Sequence, residues 1–502
     1  MKNKIRRILV CTLLIANILM LASSASNNQQ INPISSTDWW PMFHHDQYHT
    51  GYSTSLAPNT NATLWFFDIN EFIELSSPVV SNGRVYLGGF DEIMHCIYAL
   101  NGTELWNFTT NSELEGAAAI DNGKVYLGSD QIYCLDEDDG SLIWNYTTND
   151  WVVSSPTVVD GRLYAAGFTY GVIYCLNADT GDEIWTYDTA ANVVSSAAIA
   201  DNKMYIASVD KLYCFDAVNG DEIWNKTIGT QSAVFSSPTI IDDKLIIGSD
   251  DGKLYCLNSS DSSELWNYSA GSWIVSTAAV YDNKVYFGDE GSYVYCLNIN
   301  NGNLIWNIQT NGYVYGSPCV ADNKVYIGGA DQNMYCFNAE NGSLIWIYTL
   351  GQGTYSSPCV SNGLLYSADA NGRLYCFGHE NEAPSKPVID GTANGKPKIE
   401  YNYTFTATDP DDDDISYYVD WGDNTNPGWI GPISSGITVT AKHAFAKKGT
   451  YTISCKARDV YGLESDLGYF EVNIPRTRIR FINSILELYL HAFQKLSHLF
   501  GL

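Results

Sequence analysis

The densest chemistry-bearing run in the sequence is Asp409-Pro410-Asp411-Asp412-Asp413-Asp414, with Asp420 shortly after it. Calcium takes roughly six to eight oxygens at short range, and alternating aspartates in a turn supply several. Asp409, Asp411, Asp413 and Asp420 are therefore a candidate calcium set; a solvated acidic turn is the other reading of the same residues. His44, His45 and His49 cluster near the N-terminus, where capping or packing accounts for them as well as metal binding does. The sequence has no zinc-protease signature, nucleophile elbow, phosphate loop or paired-cysteine metal motif, so no residue is assigned a catalytic role.

The elements that carry these residues repeat. Tryptophans fall at Trp65, Trp106, Trp144, Trp185, Trp224, Trp266, Trp306 and Trp346, a period near forty residues. Strand-like contents at that period signal a β-propeller with one four-stranded blade per repeat. In one repeat, Ser154–Val159 reads as the inner strand and Asp160-Gly161 as a hairpin turn. Arg162–Gly167 and Val172–Asn177 follow as second and third strands, and Glu183–Tyr187 as the outer strand. Small pairs open each inner strand, among them Ser76-Ser77, Gly116-Ala117 and Ser236-Ser237, because inner strands crowd around one axis.

The ends of the array set the count. Ala62–Phe67 is an outer strand with no blade before it, and Tyr355–Phe377 supplies three strands with no Trp-bearing fourth. Pairing the two gives eight blades and removes the exposed sheet edges of an open array. Cys134, Cys175, Cys214, Cys256, Cys296, Cys336 and Cys376 each follow a Tyr at one equivalent place. Equivalent places on successive blades are too far apart for a disulfide, which needs Cα atoms within ~7 Å, so these read as buried hydrophobes. For Cys319 and Cys359 the sequence leaves bonding open.

Lys2, Lys4, Arg6 and Arg7, the apolar run Ile8–Leu21 and the small residues Ala22–Ala25 have the order of a secretory signal over 1–25. An exported, cell-surface or extracellular protein is expected. The formal charge of −29 excludes nucleic acid as a partner. Nine Asn-x-Ser/Thr sequons are glycan acceptors in an exported chain, and a chain rich in Asn, Ser and Thr also produces several by chance.

Asn177-Ala178-Asp179-Thr180-Gly181-Asp182-Glu183-Ile184-Trp185 resembles the tryptophan-docking motif of the pyrroloquinoline-quinone (PQQ) repeat family, in which the indole packs on the neighbouring blade. Trp40–Asp46 through His49-Thr50-Gly51 resembles the lead-in of such exported propellers. The resemblance covers roughly residues 39–378 and implies the quinoprotein-type fold. Quinoprotein dehydrogenases carry a vicinal cysteine pair and long insertions; this sequence has neither, which argues against PQQ as cofactor. Closer in size is the BamB family, whose resemblance implies a protein-interaction scaffold.

After a linker at 380–386, strand-like stretches over 387–474 suit an immunoglobulin-like sandwich. Tyr418–Asn424, with Trp421-Gly422-Asp423, resembles the signature of PKD domains, which implies an extracellular spacer or a binder of protein or carbohydrate. The tail at 475–502 is basic and then amphipathic at helical spacing. It reads as a short helix at a membrane surface or for sorting machinery, or as one docked back on the protein.

The expected architecture is thus all-β: a lead-in at 26–60, an eight-bladed propeller at 61–379 closed by its N-terminal outer strand, the PKD-like sandwich and the tail. In a repeat, equivalent positions keep the fold and variable ones are free for function. Glu74, Glu115, Trp151, Phe235, Trp273, Tyr313, Tyr315 and Tyr355, just before the inner strands, are expected to surround the channel mouth. Turn aspartates Asp91, Asp130, Asp210, Asp250, Asp289, Asp331 and Asp369 reach the same face, either as ligands or as turn formers. Such a mouth suits a sugar, a basic peptide or a cation. The sequence thus points to a surface scaffold for protein or cell-surface glycan. A PQQ- and calcium-binding oxidoreductase or sensor and a surface-layer component are the alternatives.

Overall fold

The computed structural model describes residues 38–69, 71–209, 211–229, 234–379, 381–411, 413–475 and 488–492. The signal segment, the first part of the lead-in, Asp210 and most of the tail lie outside the described residues; within the tail, 488–492 are helical and exposed. The chain divides between His379 and Glu380 into two units.

The first unit is built from seven four-stranded sheets and one five-stranded sheet, each an antiparallel meander of four successive strands but for two additions. In blade 3 the strands are Thr157–Val159, Arg162–Ala166, Val172–Asn177 and Glu183–Asp188. The inner strand starts at Thr157 rather than at Ser154, because Ser154 and Ser155 turn their hydrogen bonds elsewhere. Ser154 Oγ accepts from Ala166 N within the blade, and Ser155 bonds across to its neighbours. The last blade combines Cys359–Ser361, Leu364–Ala368 and Arg373–Gly378 with the N-terminal strand Ala62–Asp68, which sets Trp65 opposite Cys376.

Each blade buries one cross-strand row. Tyr164 faces Cys175, which faces Trp185, and the row repeats from Tyr86–Cys96–Trp106 to Tyr366–Cys376–Trp65, with Ile246 in the tyrosine's place in blade 5. All the described cysteines are buried and free, Cys319 and Cys359 included. Burial pushes the Cys134 thiol up to about 12.

The row also staples blade to blade. Ala178 O accepts both Tyr126 Oη and Trp144 Nε1, each at 3.1 Å. Ala217 O accepts Tyr164 and Trp185 in the same way, and Ala99 O accepts Tyr366 and Trp65. The accepting residue opens the turn between third and fourth strands of the next blade, and a glycine of that turn lies under the indole. A Cβ on Gly181 would stand 2.7 Å from Trp144, at a φ of +75° that favours glycine. The last blade is assembled from two chain segments and has no such turn. Pro58 of the lead-in supplies the missing carbonyl, accepting Tyr326 Oη at 2.8 Å and Trp346 Nε1 at 3.5 Å.

A second ring of bonds lies at the small pairs. Ala117 N donates to Ser155 Oγ, Ser155 N to Ser196 Oγ, and Ser196 N to Ser237 Oγ. Ser237 N donates to Thr277 Oγ1, Thr277 N to Ser317 Oγ, Ser317 N to Ser357 Oγ, and Ser357 N to Ser77 Oγ. The small residues are thus more than relief from crowding. They satisfy the backbone N–H groups that inner strands turn toward the axis, where no further strand can pair. The belt breaks only between blades 1 and 2, where Ala117 has no hydroxyl to accept from Ser77.

The lead-in crosses the other end of the inner strands. Trp40 pairs with Val80; Ile120 N donates to Pro41 O, Ile199 N to Gln47 O, Ile240 N to Tyr48 O, Val280 N to Thr50 O and Val320 N to Gly51 O, all at 2.7–2.9 Å. Tyr52–Ser53 then adds in parallel to Cys319–Ala321. This segment is a plug, held by carbonyls that meet inner-strand N–H groups.

The second unit is a sandwich of a three-stranded and a four-stranded sheet. Tyr403, Phe405, Tyr417, Val419, Trp421, Phe445, Ile453 and Cys455 form its core. Trp421 stacks on His443 with ring centroids 4.6 Å apart, and His443 Nε2 lies 2.9 Å from Asp423 Oδ2. The Trp-Gly-Asp signature is therefore structural: Gly422, at φ +74°, passes where a Cβ would meet Thr452 O at 2.4 Å.

Candidate binding face

The plug occupies the C-terminal end of the inner strands, and the loops entering those strands form the opposite face. These loops place side chains in alternation. Leu114, Val152, Val193, Val234, Ile274, Val314 and Thr354 are buried anchors between blades. The residue after the anchor is Glu115, Phe235, Tyr315 and Tyr355 in blades 2, 5, 7 and 8, and of these Tyr315 and Tyr355 are in ring contact. The residue before it lies further out, where Trp151, Trp273 and Tyr313 stand. In blade 1 the anchor is Ile73, whose N–H donates to Ala370 O, and one additional residue precedes the small pair. That shift leaves Glu74 exposed.

The aromatic side of the mouth is continuous. Tyr313 contacts Tyr315 with centroids 6.1 Å apart, and Tyr315 contacts Tyr355 at 5.2 Å. Trp273, Tyr313 and Phe235 are 45%, 53% and 40% exposed, high values for such large apolar groups. Trp151 is edge-on to Phe168, with its indole nitrogen 3.5 Å from Glu113 O. Glu290, which sequence reasoning did not single out, sits beside Tyr315; burial and then this carboxylate push the phenol up to about 12.

The acidic side is Glu74, Glu113 and Glu115. Burial, reinforced by Glu74 and Glu113, pushes the Glu115 carboxyl up to about 7. A carboxylate held in that state gains from a cation and loses from an anion. None of the loops entering the inner strands, and none of the turns between second and third strands, carries a Lys or Arg. Lys211, Lys253 and Arg373 start third strands beside the mouth-side turns, and Arg84, Lys124, Arg162, Lys203, Lys244, Lys284 and Lys324 start the second strands on the plug face. There Lys124 pairs with Asp179 and Lys284 with Glu340 of the following blade.

For the turn aspartates the structure favours turn formation over ligand binding. Asp130, Asp289, Asp331 and Asp369 accept the hydroxyls of Tyr133, Tyr295, Tyr335 and Tyr375. Blade 1 has His95 in place of that tyrosine, between Asp91 Oδ2 at 2.8 Å and Glu104 Oε1 at 2.7 Å. Although burial opposes it, these two carboxylates raise the pKa of His95.

The histidine cluster anchors the plug. His44 and His49 are buried, with His44 Nε2 3.0 Å from Pro318 O and His49 Nδ1 2.9 Å from Pro238 O. Desolvation lowers both to about 4, so they are neutral over the ordinary pH range. His45 lies between Asp38 and Asp46, which outweigh desolvation and raise it to about 9. A cavity of about 420 Å³ opens beside Asp38, His45, Tyr52, Lys244 and Tyr281, between plug and blades 5 and 6. Asp38 and Asp46 are already bonded within the plug, to Ser53, Thr54, Tyr48 and Thr50.

In the second unit, Asp409 Oδ1 accepts from Asp411 N and Asp413 N, while Asp409 Oδ2 is buried without a hydrogen-bond partner. Burial, with Asp409, Asp459, Asp411 and Asp414 near, pushes the Asp413 carboxyl up to about 7. Asp459, opposite Ile415 on the neighbouring strand, joins this group through pairing that no sequence spacing announces. Asp420 does not belong to it. The strand Ile415–Asp420 carries it to the far end, roughly 17 Å away at ~3.3 Å per residue, where it caps Gly422 N.

Small blades stapled by Tyr and Trp into a ring define a PQQ-like repeat β-propeller of the quinoprotein type. The chain belongs to the family described as outer membrane protein assembly factor BamB, whose model matches residues 90–170 and 169–386. The solved structure of BamB from Moraxella catarrhalis is similar with a TM-score of 0.55 and 17% identity, covering 64% of this chain and 98% of its own. The quinohemoprotein alcohol dehydrogenase from Comamonas testosteroni is similar with a TM-score of 0.60 and 13% identity, covering 71% of this chain and 83% of its own. A PKD domain of an M14-like peptidase from a Thermoplasmatales archaeon matches at 45% identity and a TM-score of 0.19, over 19% of this chain and 99% of its own. No curated protein matches the chain.

Proposed function

We propose that the chain is an exported scaffold at the cell surface that holds a basic segment of a partner protein against the propeller mouth. The observation that carries this reading is the separation of charge. The mouth loops present Glu74, Glu113, Glu115 and Glu290 beside exposed aromatics and carry no Lys or Arg of their own, while seven cations start the second strands on the plugged face. Lysine and arginine side chains are the groups that gain from both carboxylates and aromatic faces. Membership of a family named for protein assembly supports a protein as the partner.

The test is binding of a lysine-rich peptide and its glutamate-substituted counterpart to the full chain. The lysine peptide is expected to bind, to weaken with added salt, and to lose affinity in Glu115→Gln and Trp273→Ala. A glycan stacked on Trp273 and Tyr313 is the competing occupant, and its binding would be insensitive to salt. Equal binding of both peptides would end the basic-segment reading.

A second reading concerns the PKD-like unit. Asp409 Oδ2, buried without a partner beside Asp413, fits a cation, so Asp409, Asp411, Asp413 and Asp459 would hold calcium in the turn before Ile415. Calcium titration of the full chain is expected to raise the melting temperature of this unit, and Asp409→Asn to abolish the rise. No shift at millimolar calcium would dismiss the site.

A further inference from the structure

Eight of the nine sequons lie in the first unit, and we infer that the exposed outer strands of the propeller carry N-linked glycans, which leave the mouth bare. Asn107, Asn145, Asn225 and Asn267 occupy the same place in blades 1, 2, 4 and 5, directly after the docking tryptophan on the outermost strand. Each asparagine is exposed, and so is the hydroxyl residue of its sequon, Thr109, Thr147, Thr227 or Ser269. Asn101 and Asn341 lie in turns between third and fourth strands, on the plug side; Asn258 ends a third strand at the same side, and Asn61 precedes the outer strand of the last blade.

The mouth loops contain Asn111, Asn149, Asn192, Asn311 and Asn371, and none is followed two residues later by Ser or Thr. Chance in a polar chain would mark both faces; here one face is spared. It is the face assigned above to the partner.

The four equivalent sites also answer a structural problem. The outermost strand has no neighbour on its outer side, so its backbone groups can template association with another chain. Two residues before each asparagine stands an exposed branched residue on the same strand: Leu105, Ile143, Ile223 and Leu265, each between 43% and 48% exposed. A bulky polar glycan at i+2 covers both the free edge and this apolar side chain. Blades 3, 6 and 7 present the apolar residue without a sequon, so the covering is partial.

The chemistry needs an activated donor, an oligosaccharide linked through its anomeric carbon to a lipid diphosphate. The asparagine Nδ2 forms a bond to the anomeric carbon, the bond from that carbon to the diphosphate oxygen breaks, the lipid diphosphate leaves, and Nδ2 gives up one proton. No oxidant or reductant is involved. The inference rests on the export proposed above, and the experiment separates the two.

Protein recovered from its native cells is digested, and its peptides and mature N-terminus are read by mass spectrometry. Glycan mass is expected on Asn107, Asn145, Asn225 and Asn267, in a chain that has lost Met1–Leu21. Loss of the signal segment with all four asparagines unmodified would overturn the glycan belt and leave export standing. Unmodified asparagines in a chain that retains Met1–Leu21 would overturn both. The variant Asn107→Gln, Asn145→Gln, Asn225→Gln, Asn267→Gln, which changes only exposed side chains, is expected to self-associate where the native chain stays monomeric. An unchanged sedimentation profile would overturn the shielding role.

Discussion

Tyr326 donates its hydroxyl to the carbonyl of Pro58 at 2.8 Å, a bond between residues 268 positions apart. Every other accepting carbonyl of this type lies in the following blade. Here a segment ahead of the first strand takes the place of a turn that the composite blade cannot have. Closure therefore depends on two N-terminal pieces: the strand Ala62–Asp68, which completes the sheet, and the lead-in, which completes the staple and plugs the channel.

The belt of hydroxyls gives the sharpest stability prediction. Ala117→Ser supplies the missing acceptor for Ser77 N and is expected to stabilise the propeller by about 0.5–1.5 kcal/mol, the net value of one hydrogen bond. Ser237→Ala should cost about 1–3 kcal/mol, because the buried Ser196 N loses its acceptor. Denaturant unfolding of both variants measures this. Equal midpoints for Ala117→Ser and the native chain would contradict it.

Among the described docking tryptophans, Trp224 has a buried Nε1 without a hydrogen-bond partner. Its neighbouring turn has Ser262, at φ +57°, where the other docking turns have glycine. Ser262→Gly should raise stability by about 1 kcal/mol by removing both the left-handed strain and the Cβ under the ring. The reverse change, Gly220→Ala beneath Trp185, should be markedly destabilising, since its Cβ would stand 2.6 Å from the indole. Melting temperatures of the pair decide it.

The plug has a pH window with two edges. His45 is raised to about 9 in the folded chain, so its stabilisation is complete below its unfolded value near 6.5 and fades as pH rises through 9. Asp38 and Asp46 are lowered despite burial, by hydrogen bonds and charge from His45, so their contribution is lost only as pH falls below the usual carboxylate range. Proteolysis within 38–53 is expected to be slowest between those limits and to accelerate above pH 9. His45→Gln should abolish the alkaline edge.

The acidic turn of the second unit has the opposite sign. Asp413 is raised to about 7, so the folded unit binds a proton more readily than the unfolded chain. Without a cation, its stability falls as pH rises from about 4 to 7. Asp413→Asn is expected to flatten this dependence. A slope unchanged in that variant would place the titrating group elsewhere.

Much of this was legible in the sequence because a propeller repeats its signals. The Trp period, the small pairs and the glycine turns are local patterns, and Tyr315 and Tyr355 touch because they hold equivalent positions in adjacent blades. The plug was not legible. Trp40–Ser53 has no periodicity, and its bonds go to inner strands spread over the whole first unit. The same holds for Asp459, brought to Asp413 only by strand pairing. Asp420 failed for a plain geometric reason: nearness in sequence along an extended strand is distance in space.

Hydrogen exchange of the full chain with and without the lysine-rich peptide tests the binding face most directly. Slowed exchange is expected in the loops around Glu74, Glu115, Trp273, Tyr313 and Tyr355, with no change in the turns that precede Lys124 and Lys284. Protection of those plug-side turns, with the mouth loops unaltered, would contradict it.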